Sequence, residues 1–170
     1  MAIYHVLCLT LIGVFATRVS GYAGGAPNSE AICQDLTPKH GVDAQSSASP
    51  YKLTLDKTEV KPGQEVKLTI SGNGVTFKGF LVQGRKVGSE GPSSPVGKFI
   101  AVQNAGESQP LNCGNIVGSS ITHTNNKEKT SLTLTWVAPE SKGTYQLLTT
   151  VVQSGYTFWV AQPSESINVV

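Results

Sequence analysis

From Tyr51 onward, apolar and polar positions alternate with a period of two. Tyr51, Leu53 and Leu55 alternate with Lys52 and Thr54; Val66, Leu68 and Ile70 with Lys67 and Thr69; Leu132, Leu134 and Trp136 with Thr133 and Thr135. Successive side chains of a strand point to opposite faces, so each run predicts a half-buried strand. Phe77 to Gln83 and Tyr145 to Val152 are apolar at both parities and predict central strands. Tyr156 to Val160 is aromatic and β-branched and predicts the closing strand. Between the runs stand Lys61-Pro62-Gly63, Ser71-Gly72-Asn73-Gly74, Gly91-Pro92-Ser93-Ser94-Pro95, Asn125-Asn126 and Pro139-Glu140-Ser141-Lys142-Gly143. These are turn signals, because Gly supplies positive φ and Pro pre-sets φ. No window carries a helical period with a cap. Tyr22 to Pro50 is rich in Gly, Ala, Ser and Pro, has no period, and reads as an irregular leader. Roughly seven to nine short strands with this spacing predict an all-β antiparallel sandwich.

The start of the chain reads as an address. Val6 to Ala16 is an apolar run of eleven residues, the length of a signal-peptide core and too short to span a bilayer. Val19 and Gly21 fit the small positions of a signal peptidase site, which predicts cleavage after Gly21. Residues 1–21 are then a secretory signal peptide and residues 22–170 the mature domain, secreted and extracellular. Its basic end is weak, with His5 and no Lys or Arg before the apolar run. The competing reading is a buried N-terminal strand. Cleavage removes Cys8 and leaves Cys33 and Cys113, an even pair in an oxidising compartment, and predicts one disulfide between them. Closing that loop is worth about 4–5 kcal/mol in the chain-entropy model. The alternative is two free buried thiols. No Asn-x-Ser/Thr sequon occurs.

Composition narrows the partners. Of 170 residues only 14% are charged and 39% are hydrophobic, against a charged or coiled-coil chain. The net charge is +2 with a pI near 8.4, and loss of Arg18 with the signal lowers it to +1. That balance argues against nucleic acid and against a strongly electrostatic membrane contact. No run is long enough for a transmembrane segment.

Candidate chemistry is sparse. His40 and His123 are the only mature histidines, and a metal reading would join them with Asp35 or Asp43. Their spacing matches no ligand motif, and the favoured reading is two structural histidines near the cystine. There is no Gly-x-Ser-x-Gly elbow and no obvious carboxylate pair. The expectation is therefore no catalytic residue, no metal, no cofactor and no enzyme. Trp136 shares parity with Leu132 and Leu134 and reads as core. Trp159 neighbours Phe158, and one of the two faces outward in a regular strand, so Trp159 is a candidate stacking platform. Lys78, Arg85, Lys86 and Lys98 form a loose basic set that could meet anionic groups as charge-assisted bonds, or be ordinary solvated surface. Gly84–Pro95 and Asn104–Pro110 are the longest polar, glycine-containing loops and the first place to look for a ligand.

A run of ordered residues carries a resemblance. It begins with Gly25-Ala26-Pro27, Cys33 and Leu36-Thr37-Pro38-Lys39-His40-Gly41, then Gln45, Pro50-Tyr51 and Pro62-Gly63. Its most telling stretch is Phe77-Lys78-Gly79-Phe80-Leu81-Val82-Gln83, followed by Pro95-Val96-Gly97-Lys98-Phe99 and Leu111-Asn112-Cys113. Thr122-His123, Leu134-Thr135-Trp136-Val137-Ala138-Pro139 and Phe158-Trp159 complete it. In these residues the mature chain resembles a reeler (reelin N-terminal-type) domain. A secreted, stand-alone reeler of this length is similar to the insect defense protein family, with its noduler-type members. The resemblance implies an immunoglobulin-like sandwich with the Cys33–Cys113 bridge. It also implies an innate-immune protein that binds microbial envelope glycolipids or polysaccharides, lipopolysaccharide among them, and haemocyte surfaces. Such a protein promotes nodulation or an antimicrobial response. The rival reading is an extracellular matrix or adhesion module; a weaker one is a small-ligand carrier with an apolar pocket between the sheets.

Overall fold

Alternation of the kind seen from Tyr51 onward folds here into two packed sheets. The structure is a computed structural model that describes residues 22–88, 94–100, 106–114 and 116–170. The expected signal segment 1–21, residues 89–93 of the Gly84–Pro95 stretch and Asn104 and Ala105 lie outside the described residues. In chain order the elements are α1 (Glu30–Asp35), β1 (Tyr51–Leu55), β2 (Glu59–Val60), β3 (Glu65–Gly72), β4 (Gly79–Lys86), β5 (Lys98–Ile100), β6 (Ser108–Cys113), β7 (Ile116–His123), β8 (Ser131–Val137), β9 (Gly143–Ser154), β10 (Thr157–Pro163) and β11 (Ile167–Val169). One sheet has four strands in the order β1-β3-β8-β5. The other runs β2-β11-β9-β4-β7-β6, with β10 also paired to β9. Every pairing is antiparallel except β2 with β11, which is parallel.

The register puts the alternating apolar residues opposite one another. Val66, Leu68 and Ile70 of β3 face Trp136, Leu134 and Leu132 of β8. They meet Phe80 and Val82 of β4, Ile121 of β7, and Tyr145, Leu147 and Val151 of β9 in one buried core. Trp136 is fully buried, as its parity predicts, and its Nε1 donates to the Val96 carbonyl at 3.1 Å. The indole lies so close to Gly84 that a Cβ there would come within 2.6 Å of Nε1. The tryptophan and that glycine are therefore one packing unit, because a filled interior leaves no room for even one methyl group.

Several expectations are corrected. The leader is not wholly irregular: Glu30–Asp35 makes a short helix that a sequence period cannot announce in six residues. Strand β4 starts at Gly79, and Phe77 before it makes one isolated bridge to Lys129. Tyr156–Val160 is not the last strand, since β11 follows it. Trp159 is not an outward platform. It is 6% exposed, stacks edge-on against Tyr51 at 5.6 Å, and donates from Nε1 to the Ser47 carbonyl. Phe158 is buried too, because the leader covers the outer face and sets His40 edge-on against it at 5.4 Å. The expected ligand loops are shorter than drawn, as Gly84–Lys86 completes β4 and Ser108–Pro110 opens β6.

Trp136→Ala should lower unfolding stability by about 3–5 kcal/mol, the range for deleting a large aromatic from a packed core. A denaturant midpoint close to the parent's would show that the indole is not a core element.

Candidate functional site

Two apolar residues of the leader lack a place in the core between the sheets, and they decide where the leader goes. The α1 helix ends at Leu36, whose left-handed backbone (φ 58°) turns the chain away, and it buries Ile32, Cys33 and Leu36. Ile32 and Leu36 pack on Leu81 of β4 in a second buried cluster, on the outer face of the larger sheet. Ala26, Leu111, Leu148 and Val160 border this cluster. The Cys33–Cys113 disulfide, with Cα atoms 5.4 Å apart, fastens the helix to the end of β6.

Polar side chains of the sheet hold the leader's backbone. Arg85 donates to the Cys33 carbonyl at 2.6 Å and to the Gln34 carbonyl at 3.2 Å, and to Gln83 Oε1 on the same face. Thr150 Oγ1 donates to the Leu36 carbonyl at 2.8 Å. Thr122 Oγ1 accepts from the Ala26 N–H and itself donates to the Phe80 carbonyl. Gln109 Nε2 donates to the Gly24 carbonyl at 2.6 Å. Without these contacts the leader's buried carbonyls would be left unpaired, which costs more than the bonds themselves contribute.

Both histidines belong to this region, but His123 pairs with Ser108, at the end of β6 opposite Cys113, so it does not sit beside the cystine. His123 Nδ1 accepts the Phe80 N–H at 3.2 Å, which places the proton on Nε2, 3.1 Å from the Tyr22 carbonyl. Gly79 makes room for the ring, since a Cβ there would fall 2.9 Å from His123 Cε1. Burial lowers the His123 pKa, the Phe80 and Tyr22 carbonyls beside Nδ1 and Nε2 oppose the shift by favouring a protonated ring, and the charges of Lys129 and His40 reinforce it. Burial likewise lowers the His40 pKa, against a hydrogen bond to the Gly155 backbone. Lys129, which the sequence reading passed over, is also buried and has a lowered pKa for the same reason. Its ammonium sits among the Asn125 and Lys127 carbonyls and Asn125 Oδ1.

Between leader and sheet lies a cavity of about 180 Å³. Ile32, Leu36, Phe80, Leu81 and Val152 supply apolar walls, together with Ala26, Pro27 and Pro38. His40 and His123 both line it, as do Lys39 and Lys78. The lysine side chains are about half exposed and reach Asp35 at 3.3 Å and Glu128 at 3.7 Å. Among the described residues, no group of three or more His, Cys, Asp or Glu is placed to hold a metal ion.

The predicted basic set does not converge. Lys78 borders the cavity, whereas Lys86, at the far end of β4, lies roughly 26 Å away at the rise of an extended strand. Lys98 is exposed on β5 of the other sheet. Arg85 is no surface group: it is 7% exposed, and its guanidinium is engaged with the leader's carbonyls. Sequence reasoning missed the roles of Gln83, Arg85, Thr122 and Thr150, because polar residues at alternate strand positions look like a solvent-facing side. The available signal was Ile32 and Leu36, two large apolar residues flanking Cys33 in a segment otherwise rich in small ones.

The molecule is a β-sandwich with one face roofed by a disulfide-fastened segment. It belongs to the Reeler domain family, whose model matches residues 31–170. Among curated proteins it is similar to "Defense protein l(2)34Fc" of Drosophila melanogaster, 34% identical over 165 residues that cover 95% of this chain and 97% of the relative. It is also 37% identical to "Putative ferric-chelate reductase 1" of Danio rerio, over 95% of this chain but only 27% of that protein. The chain thus spans about a quarter of the reductase relative, and the reductase name describes a much larger whole. Among solved structures, the human F-spondin reeler domain superposes with a TM-score of 0.61 at 19% identity, covering 75% of this chain and 94% of that one. This last likeness shows the fold. The nearly end-to-end match with a defense protein supports a defence-related role. Among the described residues, no helix is long and apolar enough to cross a membrane.

Lowered histidine pKa values fix the sign of a pH effect. The unfolded chain binds more protons than the folded one, so stability is complete above the ordinary histidine pKa of about 6.5 and is lost as pH falls through the lowered folded values. Melting temperatures should therefore fall between pH 7 and pH 5, and the NMR titration midpoints of both imidazoles should lie below 6.5. Midpoints at or above 6.5 would contradict the burial of neutral rings.

Proposed function

We propose that this chain is a secreted innate-immune defence protein that acts by binding, without catalysis. In this reading residues 1–21 direct secretion and are removed, and the mature chain begins at Tyr22. The protein recognises microbial envelope glycolipids or polysaccharides, lipopolysaccharide among them, engages haemocyte surfaces, and promotes nodulation or an antimicrobial response. The observation that carries the reading is the Drosophila defense protein, matched over nearly the full length of both chains. The reductase relative lends no activity to this reading, because the match covers only a fraction of it. In this reading exposed Lys39, Lys86 and Lys98 and half-buried Lys78 are the cations that meet anionic envelope components, each as a charge-assisted contact.

The test is retention of the purified chain on whole bacteria, yeast and host blood cells at low and high salt. Retention on microbes is expected, weakening as salt screens the lysine contacts. Binding to host cells or matrix alone would replace this function with an adhesion role. Failure to bind bacteria, envelope glycolipids and polysaccharides would refute it outright.

A further inference from the structure

We propose that the cavity beneath the leader is a binding site for a free, single-chain anionic amphiphile. The alkyl chain lies in the cavity and the head group sits between Lys39 and Lys78. This assignment stands on the cavity and not on microbial recognition.

Three observations carry it. First, the walls are apolar, and the polar atoms beside them are already bonded. His123 is held by the Phe80 N–H and the Tyr22 carbonyl, Thr150 by the Leu36 carbonyl, and Thr122 by Ala26 and Phe80. Two lining side chains stand apart: His40 Nδ1, enclosed and unbonded among the described residues, and Asn126, which is exposed. An occupant therefore meets little demand for polar groups inside, and apolar chain gains most by entering. Second, the space of about 180 Å³ is of the same order as the ~150 Å³ engineered apolar cavity that takes up benzene, so it suits one chain. Third, the charged groups lining it that are free to move are cations. Lys39 and Lys78 are half exposed, and their present carboxylate partners are exposed pairs at 3.3 and 3.7 Å, of a kind worth little in water. An anionic head can take the place of those partners, whereas a cationic one would be repelled.

Calorimetric titration of the purified chain with decanoate, decanol and decyltrimethylammonium tests this directly. Saturable one-to-one binding of decanoate is expected, with weaker binding of decanol and none of the cation. Val152→Trp, which fills the cavity from β9, should abolish binding, with a circular dichroism melt to establish that the variant folds. Lys39→Glu combined with Lys78→Glu leaves the walls intact. It should weaken decanoate roughly three- to tenfold and leave decanol unchanged. Lys98→Glu, on the other sheet, should change neither. Absence of saturable binding, or decanoate binding unaltered in folded Val152→Trp, would overturn the site. Equal affinity for all three probes would overturn the anionic head. Sedimentation with anionic phospholipid vesicles tells a free ligand from a membrane-borne chain: none is expected, and co-sedimentation lost in Val152→Trp would overturn the free-ligand assignment.

Discussion

Closure of the leader over the outer face of the larger sheet is the contact on which the rest of the structure depends. A sandwich needs only its inner faces buried, and the core between the sheets here is complete without residues 22–40. Yet the outer face of β4, β7 and β9 carries Leu81, Gln83, Arg85, Thr122 and Thr150, a mixture suited neither to water nor to a dry core. The leader resolves this. Its two large apolar residues cover Leu81, and its carbonyls accept from the arginine and a threonine. A short segment with so few apolar side chains could not offset the entropy of its own ordering. The disulfide to Cys113 reduces that cost by keeping the segment near the sheet in the unfolded chain as well.

The same closure creates the cavity and sets its electrostatics. Where the leader fits the sheet, contacts are tight. Where it bridges from Ile32 and Leu36 across to His40, it leaves a space over Phe80 and Val152. Withdrawal from water favours the neutral form of both imidazoles, and in that form His123 accepts the Phe80 N–H while its other nitrogen holds the Tyr22 carbonyl. Lysine charge is thereby confined to the rim, and the inner walls stay apolar.

The strands were legible because the alternation from Tyr51 to Trp136 reflects one buried and one open face, a pattern that a single sequence displays directly. Trp136 as core and the pairing of Cys33 with Cys113 were read for the same kind of reason, parity in one case and count in the other. The leader was not legible. Six residues are too few to show a helical period, and the polar residues that receive the leader look like ordinary surface until something covers them. Phe158 and Trp159 show the same limit: adjacent residues of a strand are both buried only when both faces are covered, and the second cover came from a distant segment. Arg85 was read as a surface cation because its carbonyl partners lie some fifty residues away.

Hydrogen–deuterium exchange of the oxidised and the reduced chain tests the central claim most directly. If the disulfide and the polar clamp together close the leader, reduction should strip protection from the amides of residues 25–40 and from the outer-face strand ends that meet them. Amides of β3 and β8, deep in the other sheet, should stay protected. Unchanged protection of the leader after reduction, or uniform loss across both sheets, would contradict the account.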